Sequence, residues 1–199
     1  MRRWCGSVLV LALVGPARAE EPADAWAKLA SVQHLQARFT EVQHRKLLKA
    51  PLTSAGTLAF SRPGQLRWEV EGAGASTFVL DGEQISVKMP GIPATQHLDL
   101  SSQPQLAGLV AGLTVWLAGD IAAVEERYAL AWTLPRTATL TPKDPAVGKM
   151  VASITLELAA DASYIERVRM VEPDGDTMEI TLSAVDTTTP IPASRYRLE

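Results

Sequence analysis

Three histidines, His34, His44 and His97, are the side chains best suited to acid–base or metal chemistry near neutral pH. None has a second histidine or a carboxylate at i, i+4, the spacing that puts two ligands on one helical face. Each therefore reads as an exposed or edge histidine. Asp174 and Asp176 flank Gly175 and resemble half of a calcium loop. The remaining oxygen ligands and the closing glutamate are missing, which leaves a solvated hairpin turn. Glu125-Glu126 falls on a solvent-facing helix end, and Gly72-Ala73-Gly74-Ala75-Ser76 has no helix after it and reads as a turn rather than a phosphate loop. No G-x-S-x-G elbow, P-loop or G-x-G-x-x-G fingerprint follows a strand. Nothing assembles a nucleophile, a base and an oxyanion donor, so the chain reads as a non-enzyme with no catalytic residue, no cofactor and no metal.

The elements that would position any site come from one domain of ordinary composition. The 199 residues are 47% hydrophobic and 21% charged, which argues against disorder. Met1-Arg2-Arg3, the apolar run Val8 to Gly15 and the small-x-small Ala17-Arg18-Ala19 form a secretory signal peptide, cleaved near Ala19. The domains expected are thus residues 1–19, the signal, and 20–199, one exported domain. Loss of Arg2, Arg3 and Arg18 leaves 16 bases against 22 acids, a net charge of −6, which disfavours a nucleic-acid partner. Cys5, the single cysteine, leaves with the signal. Export without cysteine suits a bacterial periplasm.

Trp26, Leu29, Val32, Leu35 and Phe39 recur at helical spacing and predict a helix over about residues 23–36. Period two follows: Leu58 and Phe60, then Leu66, Trp68 and Val70, then Ile85, Val87 and Met89, each alternating with polar or small residues. Turn signals separate these runs, and Asp81-Gly82 is the strongest hairpin signal. Strands resume over Tyr128–Leu134, Thr137–Leu140, Ile154–Leu158, Val168–Glu172 and Met178–Leu182. The order is that of an α+β domain on a large antiparallel sheet.

Between the two sets of strands, Ser101 to Gly119 carries no charge, and Leu106, Leu109, Val110, Leu113, Trp116 and Leu117 follow helical spacing. Two readings stand. The segment is a helix buried against the sheet, or it is a lid over the open side of a curved sheet with an apolar cavity beneath it, as a binder of apolar chains requires.

Phe39-Thr40-Glu41, Gly56-Thr57-Leu58-Ala59-Phe60-Ser61-Arg62-Pro63, Leu66-Arg67-Trp68-Glu69 and Asp81-Gly82 resemble, in type and spacing, the amino-terminal half of the LolA family of periplasmic outer-membrane lipoprotein carriers. Leu140-Thr141-Pro142-Lys143, Ile165 to Val171 and Gly175-Asp176 leading to Ile180 keep that family's order more loosely. The resemblance implies an incomplete antiparallel β-barrel with an N-terminal helix and a mid-chain helical lid over an apolar cavity. It implies acylated lipoprotein or another lipid as cargo, an inner-membrane ABC-type donor and an outer-membrane acceptor; a monomer is expected. Arg62 matches the family's lid-latching arginine. Phe60, Leu66 and Trp68 of the barrel wall, and Leu106, Leu109, Leu113 and Trp116 of the lid, would line the cavity.

The chain departs from the family in three places. Leu66 stands where phenylalanine is common, and a carboxyl-terminal extension is missing after Arg195-Tyr196-Arg197-Leu198-Glu199. Lys46-Leu47-Leu48-Lys49-Ala50-Pro51 looks like the LolA-related branch, whose cargo need not be a lipoprotein. An alternative of another class is a periplasmic sensor or adaptor whose half-barrel docks a protein partner. A secreted hydrolase is a third, weaker reading.

Overall fold

The computed structural model describes residues 22–102, 114–134 and 136–198. Helix α1, Pro22–Ser31, has Asp24 in its first turn and buries Ala25, Trp26 and Leu29 along one face. It stops five residues short of the predicted boundary. The Ser31 hydroxyl donates to the Lys28 carbonyl at 2.7 Å, and β1, His34–His44, begins three residues on. Leu35 and Phe39 fit either period, but buried Ala37 between them sets period two.

Five hairpin-connected strands follow: β2 (Leu52–Ser61), β3 (Gln65–Val70), β4 (Ser76–Asp81), β5 (Gln84–Lys88) and β6 (Gln96–Asp99). A short 3-10 turn, Leu100–Ser102, comes next, and residues 114–117 are helical. Helix α2 (Ile121–Arg127) is capped by Asp120, whose carboxylate accepts the Ala123 N–H at 3.1 Å. It runs into β7 (Tyr128–Leu134), β8 (Thr137–Pro142), α3 (Pro145–Gly148), β9 (Ser153–Leu158), β10 (Ile165–Val171) and β11 (Thr177–Asp186).

All eleven strands form one antiparallel sheet in the order β6-β5-β4-β3-β2-β1-β11-β10-β9-β8-β7. β1 pairs with both β2 and β11, so the earliest and latest strands meet mid-sheet, while β6 and β7 are left as edges. The sheet is curved and open, an incomplete barrel, as the sequence led us to expect.

Cross-strand register puts the apolar residues of successive strands on one face. Leu35 pairs with Phe60, Phe60 with Leu66, and Leu66 with Leu80; the next row runs Ala37, Leu58, Trp68, Phe78. In the third row Gly56 lies between Phe39 and Val70. A Cβ there would sit 1.8 Å from the Glu69 carbonyl oxygen and 2.8 Å from the Phe39 ring. The missing side chain lets Phe39 pack over the strand against Trp68, with ring centroids 4.2 Å apart. The same face extends through Leu182 and Val168 to Leu156 and Ala138, where α1 and α2 add Trp26, Leu29 and Val124 to the core.

Candidate functional site

Arg62 directly follows β2, so its backbone is held beside the α1–β1 connection; its N–H donates to the Gln33 carbonyl at 3.0 Å. From there the guanidinium reaches two further carbonyls. Nε donates to Val32 at 2.7 Å, and Nη2 donates to Ala118. Ala118 closes the helical residues 114–117: its N–H returns to Thr114 at 2.9 Å, and the Gly119 N–H returns to Trp116 at 2.9 Å. Carbonyls at a helix end lack intrahelical donors, and a rigid five-donor fork suits two of them at once. Burial pushes the Arg62 guanidinium below its ordinary pKa, and the charge of Asp120 opposes that shift.

Gly119 makes this junction possible. Its φ of +62° ends the turn, and a Cβ would lie 2.9 Å from the Ala30 amide nitrogen, so the chain passes directly against α1. Arg62 therefore joins three parts of the fold: the end of β2, the α1–β1 connection and the end of the mid-chain helical segment.

Beneath that junction the concave face is apolar. Phe60 and Leu66 are fully buried, and Trp68 is half-buried beside them; Leu117 and Ala118 pack on the same cluster. Val115 and Trp116 face the neighbouring cluster around α1. Of the residues expected to line a cavity, the structure brings together Phe60, Leu66 and Trp68, and places Trp116 on the adjoining cluster. Leu106, Leu109 and Leu113 lie outside the described residues. A small cavity of about 10 Å³ lies between Leu117 and the sheet, bordered by Leu35, Phe60 and Tyr164. That is no more than one water needs. Beside it, a depression of about 680 Å³ opens among Pro63, Leu80, Leu100 and Thr114. Its volume falls within the roughly 300–1,000 Å³ usual for ligand sites.

Two polar clusters have partners that sequence reasoning did not find, although the Asp174–Asp176 turn of the second was itself expected. On the convex face, the chain after β11 turns back through a 3-10 turn, Ala193–Tyr196, and packs Tyr196 on Ala59 and Val79. The Tyr196 hydroxyl lies 2.8 Å from Ser61 Oγ, which lies 3.1 Å from His34 Nδ1. Glu69 takes hydrogen bonds from Arg67 at 2.6 Å and Arg195 at 2.7 Å, and the Arg67 bond above all holds its carboxyl below the ordinary range. Ala59 and Val79 were the available signal: both are apolar on the polar side of their strands.

The second cluster is Glu172, Asp174 and Asp176, whose oxygens lie within 4.8 Å of one another. Two cations stand beside them: Arg45, 2.5 Å from Glu172 and 3.4 Å from Asp176, and Lys46, whose Nζ donates to the Asp174 carbonyl. The Lys46 amide donates to Asp176 at 2.8 Å, and this bond leads the causes that hold Asp176 below its ordinary pKa. The Asp174–Asp176 turn thus anchors the β1–β2 loop. His34 and His97 each lie beside a serine hydroxyl, His97 at 2.9 Å from Ser86, and His44 is exposed at the end of β1.

Fold and site together define an open antiparallel half-barrel with helices packed on its apolar concave face. The chain belongs to the LolA family: residues 30–199 match the family described as outer membrane lipoprotein carrier protein LolA. An outer-membrane lipoprotein carrier protein of Dechloromonas aromatica is 26% identical over 180 residues, covering 85% of this chain and 78% of the relative. A protein of the same description from Chromohalobacter salexigens is 26% identical over 147 residues, covering 72% and 66% of the two chains. The fold is similar to that of an uncharacterized conserved protein of Thermus thermophilus, with a TM-score of 0.55 at 9% identity over 89% of this chain and 92% of the other. Among the described residues no helix is long and apolar enough to cross a membrane.

Proposed function

We propose that the protein is a periplasmic carrier that shields the acyl chains of a lipoprotein, or of a related lipid, and moves them toward the outer membrane. Residues 1–19 are its export signal, and residues 20–199 are the carrier domain. The observation that carries this reading is the apolar concave face closed at one end by a segment tied to Arg62. Exposing an acyl chain of about fifteen methylenes to water costs on the order of 12 kcal/mol at ~0.8 kcal/mol each. Phe60, Leu66 and Trp68 supply apolar wall for it, while Leu106, Leu109, Leu113 and Trp116 belong to the segment that would cover it. Cargo enters when Arg62 lets go of Ala118 and the segment lifts. Release of cargo restores the Arg62–Ala118 hydrogen bond, which favours handing it on. An inner-membrane transporter of the ABC type as donor and an outer-membrane acceptor complete the route.

The test is to purify the processed protein from a Gram-negative host, extract it with organic solvent and identify bound lipid by mass spectrometry, with binding of a fluorescent acyl probe in parallel. Co-purified acyl lipid, or probe binding that lipid displaces, supports the reading. An empty protein that also fails to bind the probe refutes it.

A further inference from the structure

Ser61 and Arg62 are consecutive at the end of β2, and their side chains leave opposite faces of the sheet. Arg62 holds the Val32 and Ala118 carbonyls on the concave side. Ser61 is buried on the convex side, in the terminal pair of both its ladders, opposite His34 on β1 and Gln65 on β3. Terminal pairs are where a ladder frays. Here the pair is covered. Tyr196 is 2% exposed, packs on Ala59 and Val79, and sets its hydroxyl 2.8 Å from Ser61 Oγ, which lies 3.1 Å from His34 Nδ1.

The segment that carries Tyr196 is itself fastened. Arg67 donates to the Arg195 carbonyl at 3.1 Å, and the Arg195 guanidinium meets Glu69 at 2.7 Å. Ile191 and Leu198 pack on the same cluster as Ala59 and Val79. Residues 191–198 thus form a strap over the convex side of β2, β3 and β4.

We infer that Tyr196 is a positioning residue for the Arg62 latch, so that the strap on the convex face sets how firmly residues 114–118 are held on the concave face. The inference rests on the latch reading of Arg62. A hydrogen bond weakens steeply with misalignment, and a rigid guanidinium meets two carbonyls only while the end of β2 keeps its place against the α1–β1 connection. The Arg62 N–H to Gln33 carbonyl bond is the next link after the Ser61–His34 pair. Fraying of that pair moves this link, and the guanidinium moves with it. Whatever draws the strap off the convex face therefore frees the helical segment on the other side. Such coupling needs an element with two states, here the docked and lifted forms of that segment.

The experiment is hydrogen exchange, without cargo, on Tyr196→Ala, Tyr196→Phe, Arg62→Leu and the double variant Tyr196→Ala with Arg62→Leu. Relative to the mid-sheet amides of Phe39 and Leu182, those of Ala118, Gly119 and Asp120 should exchange roughly fivefold faster or more in Tyr196→Ala. Tyr196→Phe keeps the ring on Ala59 and Val79 and loses only the hydroxyl. It should show a smaller increase at the same amides, and it decides the matter if the alanine variant does not fold. Once Arg62 is leucine, Tyr196→Ala should add nothing at residues 118–120, because the coupling runs through Arg62. A merely structural Tyr196 would instead speed the mid-sheet amides in step, with Arg62 or without it. The inference is overturned if residues 118–120 keep their rate relative to the mid-sheet, or if the full acceleration persists in the leucine background. If Arg62→Leu alone leaves those amides unchanged, the latch reading falls with it; acyl-probe binding tests the carrier reading separately.

Discussion

Replacing Arg62 by leucine removes two hydrogen bonds from a charged donor, one to Val32 and one to Ala118. Bonds to charged groups are worth about 1.5–3 kcal/mol each. The two losses fall on different parts of the fold. The Val32 carbonyl belongs to the α1–β1 connection, where water can replace the donor, so global stability should drop by only about 1–2 kcal/mol. Ala118 is buried, and its carbonyl is left without a donor. The whole of that loss falls on the equilibrium between the docked and lifted forms of the mid-chain segment. A loss of ~1.5–3 kcal/mol raises the lifted population roughly tenfold to a hundredfold, at 1.4 kcal/mol per decade. Hydrogen exchange reads this directly. The amides of Ala118, Gly119 and Asp120, bonded to Thr114, Trp116 and Val115, should exchange ten to a hundred times faster in the variant. The amides of Phe39 and Leu182, paired mid-sheet, should change only with global stability. Arg62→Lys should fall between the parent and the leucine variant, because a single ammonium can bond one of the two carbonyls but cannot span both. If exchange at residues 118–120 is unchanged, or if the entire sheet accelerates in step with it, Arg62 is a structural residue and not a latch.

Gly56→Ala should destabilise by about 3 kcal/mol or more, because its Cβ would meet the Glu69 backbone and the Phe39 ring; urea denaturation measures it, and a near-neutral change would contradict the packing described. Ala184→Gly should stabilise by about 1 kcal/mol, since Ala184 has φ +48° at the β1–β11 bulge, and a melting temperature at or below the parent's would count against strain there. Glu69 has its pKa lowered on folding, so its contribution to stability is complete above the ordinary carboxylate value near 4.5 and is lost as pH falls through the lower folded value. The acid limb of the stability profile should therefore flatten in Glu69→Gln, and an unaltered limb would show that Arg67 and Arg195 do not hold it.

Alternation of apolar and polar residues made nearly every strand legible, because a strand with one buried face repeats every two residues whatever it pairs with. Arg62 and Trp68 were singled out as site residues only because Phe-Ser-Arg-Pro and Arg-Trp-Glu resemble the LolA motifs; no local pattern of charge or hydropathy marks either residue as functional. The end of α1 was not: Leu35 and Phe39 satisfy both periods, and only pairing with β2 and β11 makes the stretch a strand. Partners distant in sequence were out of reach too. Arg45 meets Glu172 across 127 positions and Tyr196 meets Ser61 across 135, and such separations leave no local pattern. Local physics set which residues face inward and where the chain turns. Long-range closure of the sheet decided which carbonyl Arg62 finds and what covers Ala59 and Val79. Each of those depends on strands brought together by register, which no short window of sequence encodes.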